Sequence, residues 1–229
     1  MDSETPRVPR PGLPDATVAR LAIYLGALNA LHAAGATTIS SGGLAEAAGV
    51  NPAQLRKDLS HLGSYGTRGV GYDVAYLRFQ LDQHIGSPEH WPVIIVGVGN
   101  LGRALVNHYG FSSRGFRVTA LFDADPRLVG TQVEGHSIHA LEDLESVLDD
   151  PAATIGVIAT PAAAAQEVAD RLVGAGVGCL LSFATVGLRL PPSVTVRRVD
   201  LGSELQILAY HRQMSLADGI TGLVSEAGD

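Results

Sequence analysis

One junction constrains this chain more than any other. Val93-Ile94-Ile95-Val96 is an unbroken apolar, β-branched run, and Gly97-Val98-Gly99-Asn100-Leu101-Gly102 follows it directly. A short continuous run of this kind suits a strand buried on both faces. A helical pattern over 101–108 follows the loop. Strand, glycine loop and helix in that order give each glycine a task. The first allows the tight turn, the second lets backbone approach a pyrophosphate, and the third permits close helix–strand packing. The helix N-terminus adds N–H donors for phosphate. A GxGxxG element alone is a weak signal; this context makes it a strong one. Asp123 ends the next apolar run, Val118–Phe122, about twenty residues past the last glycine. A carboxylate there accepts from a ribose 2′-OH and repels a 2′-phosphate, which favours NAD(H) over NADP(H).

Similar runs recur at Ile155–Ala159 and Val177–Ser182 with helical patterns between them. That alternation predicts an α/β fold, a Rossmann-like doubly wound parallel sheet. Composition agrees, since 27 glycines with only 5% aromatics suit tightly packed α/β units better than a β-sandwich. The lone cysteine, Cys179, excludes a disulfide scaffold and, inside an apolar strand, reads as core. No apolar run approaches the roughly 20 residues that span a bilayer. The first fifteen residues are polar and proline-rich, without the apolar core of a signal peptide. The expectation is a soluble, cytoplasmic protein.

The first 85 residues follow a different rhythm. They carry seven Lys/Arg against seven Asp/Glu, so the net charge of −7 lies wholly in the remainder. An acidic total therefore does not exclude nucleic-acid binding, because only charges near phosphate act through salt. Residues 1–14 read as a flexible tail. Asp15 is the expected N-cap of a helix over 16–34, with Val18, Leu21, Ile23, Tyr24, Leu25, Leu28 and Leu31 as its apolar face and Gly35 at its end. A short helix near 41–48 and a Gly49-Val50 turn come next. Asn51-Pro52-Ala53-Gln54 supplies a cap, a proline at the first helical position and a Gln to complete a capping box. The helix it opens, Leu55-Arg56-Lys57-Asp58-Leu59-Ser60, makes a helix-turn-helix with its predecessor. Gly63-Ser64-Tyr65-Gly66-Thr67-Arg68-Gly69-Val70-Gly71-Tyr72 then suits a tight hairpin with Arg68 at its tip, a wing. Arg bridges guanine O6/N7 bidentately and Lys neutralises phosphate. The DNA candidates are Gln54, Arg56, Lys57 and Ser60 on the helix, with Tyr65, Thr67 and Arg68 on the wing. A helix over 73–85 follows, and residues 86–92 read as a linker.

Catalytic equipment is harder to find. A dehydrogenase needs a proton donor or acceptor near the nicotinamide, yet none of the eight histidines sits in a catalytic motif at a strand end. His136-x-x-His139 could pair on a turn but lacks further metal ligands. Thr160-Pro161 follows the third run, where strand ends line a cofactor crevice; an ordinary proline at helix position N1 explains it equally well. Phe183 suits either a nicotinamide contact or core packing. A nucleotide site without catalytic equipment is itself a clue. An NAD-dependent oxidoreductase with an extra helical domain is the rival reading.

The stretch Leu55–Tyr72, with Gly97–Gly102, Phe122-Asp123-Ala124-Asp125-Pro126, Ala159-Thr160-Pro161 and Val199-Asp200-Leu201, resembles the Rex redox-sensing transcriptional repressors of Gram-positive bacteria, actinobacterial members above all. The likeness covers roughly residues 15–213. It implies a homodimer that binds palindromic operator DNA, is released by NADH and tolerates NAD+. It implies a winged-helix domain over 15–86, a Rossmann domain over 87–202 and a domain-swapped helix over 203–216; the residues beyond, 217–229, read from their own composition as a frayed tail. By motif it assigns Gly97, Val98, Gly99, Asn100, Leu101, Gly102, Asp123, Ala124, Thr160, Pro161, Phe183 and Tyr109 to the nucleotide. Asp200 is implied to relay nucleotide state to the DNA-binding part. Two departures stand out. Gly26 follows Tyr24-Leu25 where many members carry an arginine that pairs with that aspartate. Ser182-Phe183-Ala184-Thr185 replaces an Asn-Phe-Ala-Pro stretch, and Gly187 stands where a larger apolar residue is usual. A family member that binds DNA with a lost or altered NADH response is a further alternative.

Overall fold

The computed structural model describes residues 13–63, 65–67, 69–85 and 91–226, with side chains as far as residue 215. The chain divides into two compact units, Met1–Glu89 and His90–Asp229.

In the first unit, α1 (Asp15–Ala33) leads through β1 (Thr38–Ile39) to α2 (Ser41–Ala47) and α3 (Pro52–Ser60). The hairpin β2 (Gly66–Thr67) and β3 (Gly71–Asp73) follows, then α4 (Val74–Ile85). Asp15 is not the cap of α1. Pro14 occupies that place in extended conformation, its carbonyl accepting from Thr17 and Val18 N–H, and Asp15 is the first helical residue. The opposite end is as expected. Gly35, at φ +82°, donates to His32, and Ala36 donates to Leu31, closing a Schellman turn. Asn51 caps α3 by accepting from Ala53 N–H at 2.7 Å. Gln54 does not complete the box but reaches down the helix to Asp58. The wing gains a strand that sequence did not indicate, because β1 pairs antiparallel with β3. Gly71 permits it: at φ +100°, a Cβ there would collide with the Ile39 carbonyl. Leu21, Tyr24, Leu28, Leu44, Leu55, Leu59, Leu77 and Leu81 form the core. Val18 and Ile23 lie outside it, exposed on α1.

The second unit runs β4 (Trp91–Val96), α5 (Asn100–Val106), α6 (Tyr109–Ser112), β5 (Phe116–Asp123), β6 (Gln132–Val133) and β7 (His136–Ala140). After a 3-10 turn at Leu141–Asp143 come α7 (Leu144–Val147), β8 (Ile155–Ile158), α8 (Ala162–Gly174), β9 (Cys179–Ser182), β10 (Thr195–Arg198) and α9 (Leu201–Glu226). The sheet order is β10-β9-β8-β4-β5-β7-β6, parallel except for β6 against β7. Alternate residues of β4 serve opposite faces. Ile94 and Val96 pack with Ala165, Val168 and Leu172 of α8, while Val93 and Ile95 pack with Leu105 and Val106 of α5. Covering both faces is what allows a strand to be apolar throughout.

Several expectations are corrected here. β4 begins at Trp91, so Trp91 and Pro92 belong to the strand rather than a linker. Pro92 is tolerated because pairing with β8 starts only at Val93. His136 and His139 lie on strand β7, not a turn, and His139 packs beside Phe122 at 5.8 Å. Cys179 is exposed, since Leu180 and Ser182 are the β9 residues that turn inward. The last helix starts at Leu201 and runs on to Glu226, so residues 217–226 are helical rather than frayed. Its apolar side chains Leu201, Leu205, Leu208 and Tyr210 are each more than half exposed within this chain. Residues 1–12 of the tail, Ser64, Arg68 and the linker residues 86–90 lie outside the described residues.

Candidate nucleotide cleft and nucleic-acid interface

The carboxyl ends of β4, β5 and β8 open into a cleft of about 550 Å³. Gly97, Gly99, Asn100 and Leu101 form one wall, Asp123 and Ala124 the next, and Thr160 and Pro161 a third. A somewhat larger hollow of about 650 Å³ lies near the amino end of β5, between Phe116 and Thr119. The smaller cleft is the nucleotide candidate, because ligands of open α/β sheets sit at the carboxyl ends.

The three glycines separate cleanly by cause. Gly97 sits at φ +97°, and a Cβ on it would lie 2.8 Å from the Ala159 carbonyl. At Gly102 a Cβ would collide with the Gly97 carbonyl oxygen. These two are demanded by the fold itself. Gly99 is not: its φ is −73° and a Cβ there meets no heavy atom within 4 Å. Open space above an N-cap glycine is a cradle that a side chain would fill. Val98 and Gly102 are buried beneath the loop.

Asp123 holds the loop in shape. Its Oδ2 accepts from Val98 N–H at 2.6 Å and its Oδ1 from Asp125 N–H at 2.8 Å. Each oxygen keeps a lone pair for a ribose hydroxyl. Arg103 braces the same loop, its Nε donating to the Val98 carbonyl at 3.1 Å. Arg127 clamps Asp125 through Nε and Nη2, and that fork holds the Asp125 carboxyl down at about 2. Thr160 supplies a buried hydroxyl, Oγ1, with no hydrogen-bond partner among the described residues. A buried unpaired hydroxyl is costly, and here it borders the cleft. Arg171 of α8 also lines the cleft, and its buried Nε has no hydrogen-bond partner among the described residues. The open Gly99, the orphaned Thr160 hydroxyl and the poised Asp123 fit a dinucleotide. Sequence reading missed Arg103, Glu167 and Arg171, which carry no motif and reach the site only through the folding of α5 and α8.

Two assigned residues stand apart from the cleft lining. Phe183 is half-buried against the α5 side of the sheet, and its N–H donates to Ile158 at 2.9 Å. Tyr109 is 82% exposed on α6. The neighbouring departure is locally self-sufficient, as buried Ser182 accepts from Ala184 N–H at 3.2 Å. Asp200 caps α9, accepting from Gly202 N–H at 3.0 Å, Ser203 N–H at 3.2 Å and the Ser203 hydroxyl at 2.9 Å. The Ser203 contacts lower its pKa.

In the first unit, α3 divides by face. Ala53, Arg56, Lys57 and Ser60 form an exposed stripe at helical spacing, while Leu55, Asp58 and Leu59 are buried. Arg56 Nη1 donates to Ser41 Oγ at 3.1 Å, placing its guanidinium in the groove between α2 and the wing. Ser60 Oγ donates to the Lys57 carbonyl at 2.6 Å. Gln54 lies off the stripe, its Nε2 donating to Asp58 Oδ1 at 3.0 Å. Tyr65 is half-buried, its hydroxyl donating to the Leu62 carbonyl at 2.6 Å and its ring set edge-on to Tyr76. Thr67 is exposed on the wing.

Behind the stripe lies a cluster that the sequence did not reveal. Asp58 is 1% exposed. It accepts from Arg20 Nε at 2.6 Å, Arg20 Nη2 at 2.8 Å and the Tyr24 hydroxyl at 2.8 Å. Thr17 Oγ1, at 3.4 Å, completes the shell with Gln54. The Arg20 guanidinium holds the Asp58 carboxyl down at about 2, and burial pushes the Tyr24 hydroxyl up to about 12.

A winged helix-turn-helix and a dinucleotide cleft on one chain define a class, the transcription regulators that answer to a nucleotide. Comparisons with known proteins narrow it. Residues 88–186 match the model "CoA binding domain" and residues 12–60 match "Putative DNA-binding protein N-terminus". A redox-sensing transcriptional repressor Rex of Streptomyces coelicolor is 58% identical over 202 residues, covering 88% of this chain and 78% of that protein. One of Desulfitobacterium hafniense is 45% identical over 199 residues, 87% of this chain and 95% of that protein. The crystal structure of RSP in complex with beta-NAD+ and operator DNA superposes at a TM-score of 0.81 with 32% identity, over 93% of this chain and 99% of that one. RSP in complex with beta-NADH gives 0.81 with 31% identity, over 92% and 100%. This chain belongs to the Rex family of redox-sensing transcriptional repressors. It is a transcription regulator and not an enzyme. No helix among the described residues is long and apolar enough to cross a membrane.

Proposed function

We propose that this chain is an NADH-gated repressor, bound as a homodimer to palindromic operator DNA and released when NADH occupies the cleft. It works in the cytoplasm, beside the DNA. The single observation that carries the reading is the pairing of an exposed Arg56-Lys57 stripe on a capped helix with a cleft whose Gly99, Asp123 and Thr160 suit a dinucleotide. A dimer reads two half-sites only when its recognition helices are correctly spaced. NAD+ and NADH differ by one charge and by ring planarity, so they can differ in affinity for two arrangements of those helices. Only that difference moves the equilibrium.

When bound, the nucleotide supplies the redox-dependent charge. Gly97–Gly102 and Asp123 anchor its pyrophosphate and ribose, with Ala124, Thr160 and Pro161 beside them. Phe183 and Tyr109 sense the ring; the exposure of Tyr109 leaves it free to meet a partner subunit. The exposed apolar side of α9 supports a swapped helix that docks on a second copy, with Asp200 at its cap relaying nucleotide state. Arg56 and Lys57 make the main DNA contacts, with Ser60, Tyr65 and Thr67 around them and Arg68 as a further candidate. A member with an altered response is the second reading, favoured by Gly26. A Cβ there meets nothing within 4 Å, so packing does not require the glycine.

Fluorescence anisotropy on an operator-like palindromic duplex, titrated with NADH over a fixed NAD+ background, tests the proposal. Release by NADH supports the sensor. DNA binding that ignores both nucleotides selects the altered member, and no duplex binding overturns the repressor.

A further inference from the structure

We infer that Asp58 is a positioning residue for DNA reading: its buried carboxylate fixes the roll of α3 on α1, and with it the direction of the Arg56-Lys57 stripe. The inference rests on the proposed DNA-binding role. Asp is almost never fully buried unless paired, and this one gathers five donor contacts from four residues, Thr17, Arg20, Tyr24 and Gln54. Three of those residues belong to α1, and Gln54 belongs to α3 itself. Asp58 is the direct neighbour of Lys57, so the basic stripe cannot turn without turning the carboxylate.

Such a cluster is not needed to fill space. An apolar residue at position 58 would pack beside Leu55 and Leu59, and buried ion pairs are weak evidence for stability. What the polar version adds is direction. Apolar contacts tolerate sliding, whereas a two-pronged guanidinium–carboxylate contact weakens steeply as its angles open. A roll of about 20° moves a head group about 6 Å from the helix axis through about 2 Å. That displacement breaks a hydrogen bond to a base edge but leaves diffuse attraction to phosphates. The clamp also refers α3 to the core rather than to the surface, because Tyr24 is fully buried among Leu21, Leu28 and Leu77.

The test uses the full chain and two variants. Arg20→Lys keeps the charge and loses the fork; Tyr24→Phe keeps the ring and loses one bond to Asp58. Binding is measured over a series of salt concentrations, to a duplex selected by the wild-type chain from a random pool and to a scrambled duplex of equal length. Expected are melting temperatures within a few degrees of wild type, an unchanged salt slope, and a loss of discrimination of about fivefold to tenfold, comparable with one mismatched base pair. Wild-type discrimination in both variants overturns the inference, as does an equal loss on both duplexes. Should Arg20→Lys fail to fold, Tyr24→Phe decides alone. A wild-type chain that binds neither duplex overturns the DNA reading itself, a result separate from either.

Discussion

Replacing Gly99 with alanine separates ligand-imposed from fold-imposed glycine. In the free chain the added methyl meets nothing within 4 Å, and φ of −73° suits alanine. Two small terms oppose. Restricting the unfolded chain stabilises by about 0.4–1 kcal/mol, while alanine is a poorer N-cap than glycine by roughly 0.5–1 kcal/mol. They nearly cancel, so the melting temperature without ligand should move by no more than about 2 °C. If the loop holds the pyrophosphate as proposed, the methyl stands in its path, and a tenfold or greater loss of affinity, about 1.4 kcal/mol, is expected. The assay is thermal melting with and without NADH at about 100 times the wild-type Kd, where binding stabilises wild type by about 2.7 kcal/mol. A tenfold weaker variant keeps about half of that, and its NADH midpoint for DNA release moves tenfold. Gly102→Ala is the contrast: its Cβ collides with the Gly97 carbonyl oxygen, costing about 1–3 kcal/mol before any ligand is added. A Gly99→Ala chain with the full NADH shift and the wild-type release midpoint would refute the assignment of this loop to the pyrophosphate.

Four further outcomes are expected. Thr160→Val removes an orphaned buried hydroxyl, so it should leave unliganded stability level or raised by up to about 1 kcal/mol while weakening NADH severalfold by calorimetry; unchanged affinity would remove Thr160 from the site. Asp123→Arg should weaken NADH binding and narrow the preference over NADPH, and an unaltered preference would end its ribose role. Asp58 has a folded pKa of about 2, below its ordinary 3.8, so its pairing stabilises the first unit above about pH 4. That contribution, about 2 kcal/mol, is lost as pH falls from 4 toward 2, and Asp58→Asn should flatten melting of this unit across that window. Gly26→Arg faces open space, gains helix propensity of roughly 0.8 kcal/mol, and should widen the ratio of DNA affinities in NAD+ and NADH; an unchanged ratio would show that coupling in this chain bypasses position 26.

The parts legible in sequence are those whose cause is local. Asn51-Pro52 and Gly35 specify helix ends through the conformations of one or two residues. Val93–Val96 with Gly97–Gly102 specifies strand, turn and helix within ten positions. Expectation failed where a neighbour distant in sequence decided. Thr195–Arg198 is a wholly exposed edge strand with no apolar run, and it exists because β9 offers it a parallel partner. Cys179 has strand neighbours on both sides, yet whether it faced core or water depended on helix coverage outside its own segment. Asp15 looked like a cap until the Pro14 carbonyl took that role.

By itself, then, the sequence determined the class of each half, the order of the elements and the glycine loop, because hydrophobic period, capping and glycine spacing act over a few residues. The tertiary structure decided which side chains share a site. Asp58 meets Arg20 across 38 positions, Asp123 holds Val98 across 25, and Thr160, with its buried hydroxyl, joins the cleft wall. No periodicity encodes such meetings. They follow from how α1 crosses α3 and how parallel strands gather their carboxyl ends on one edge.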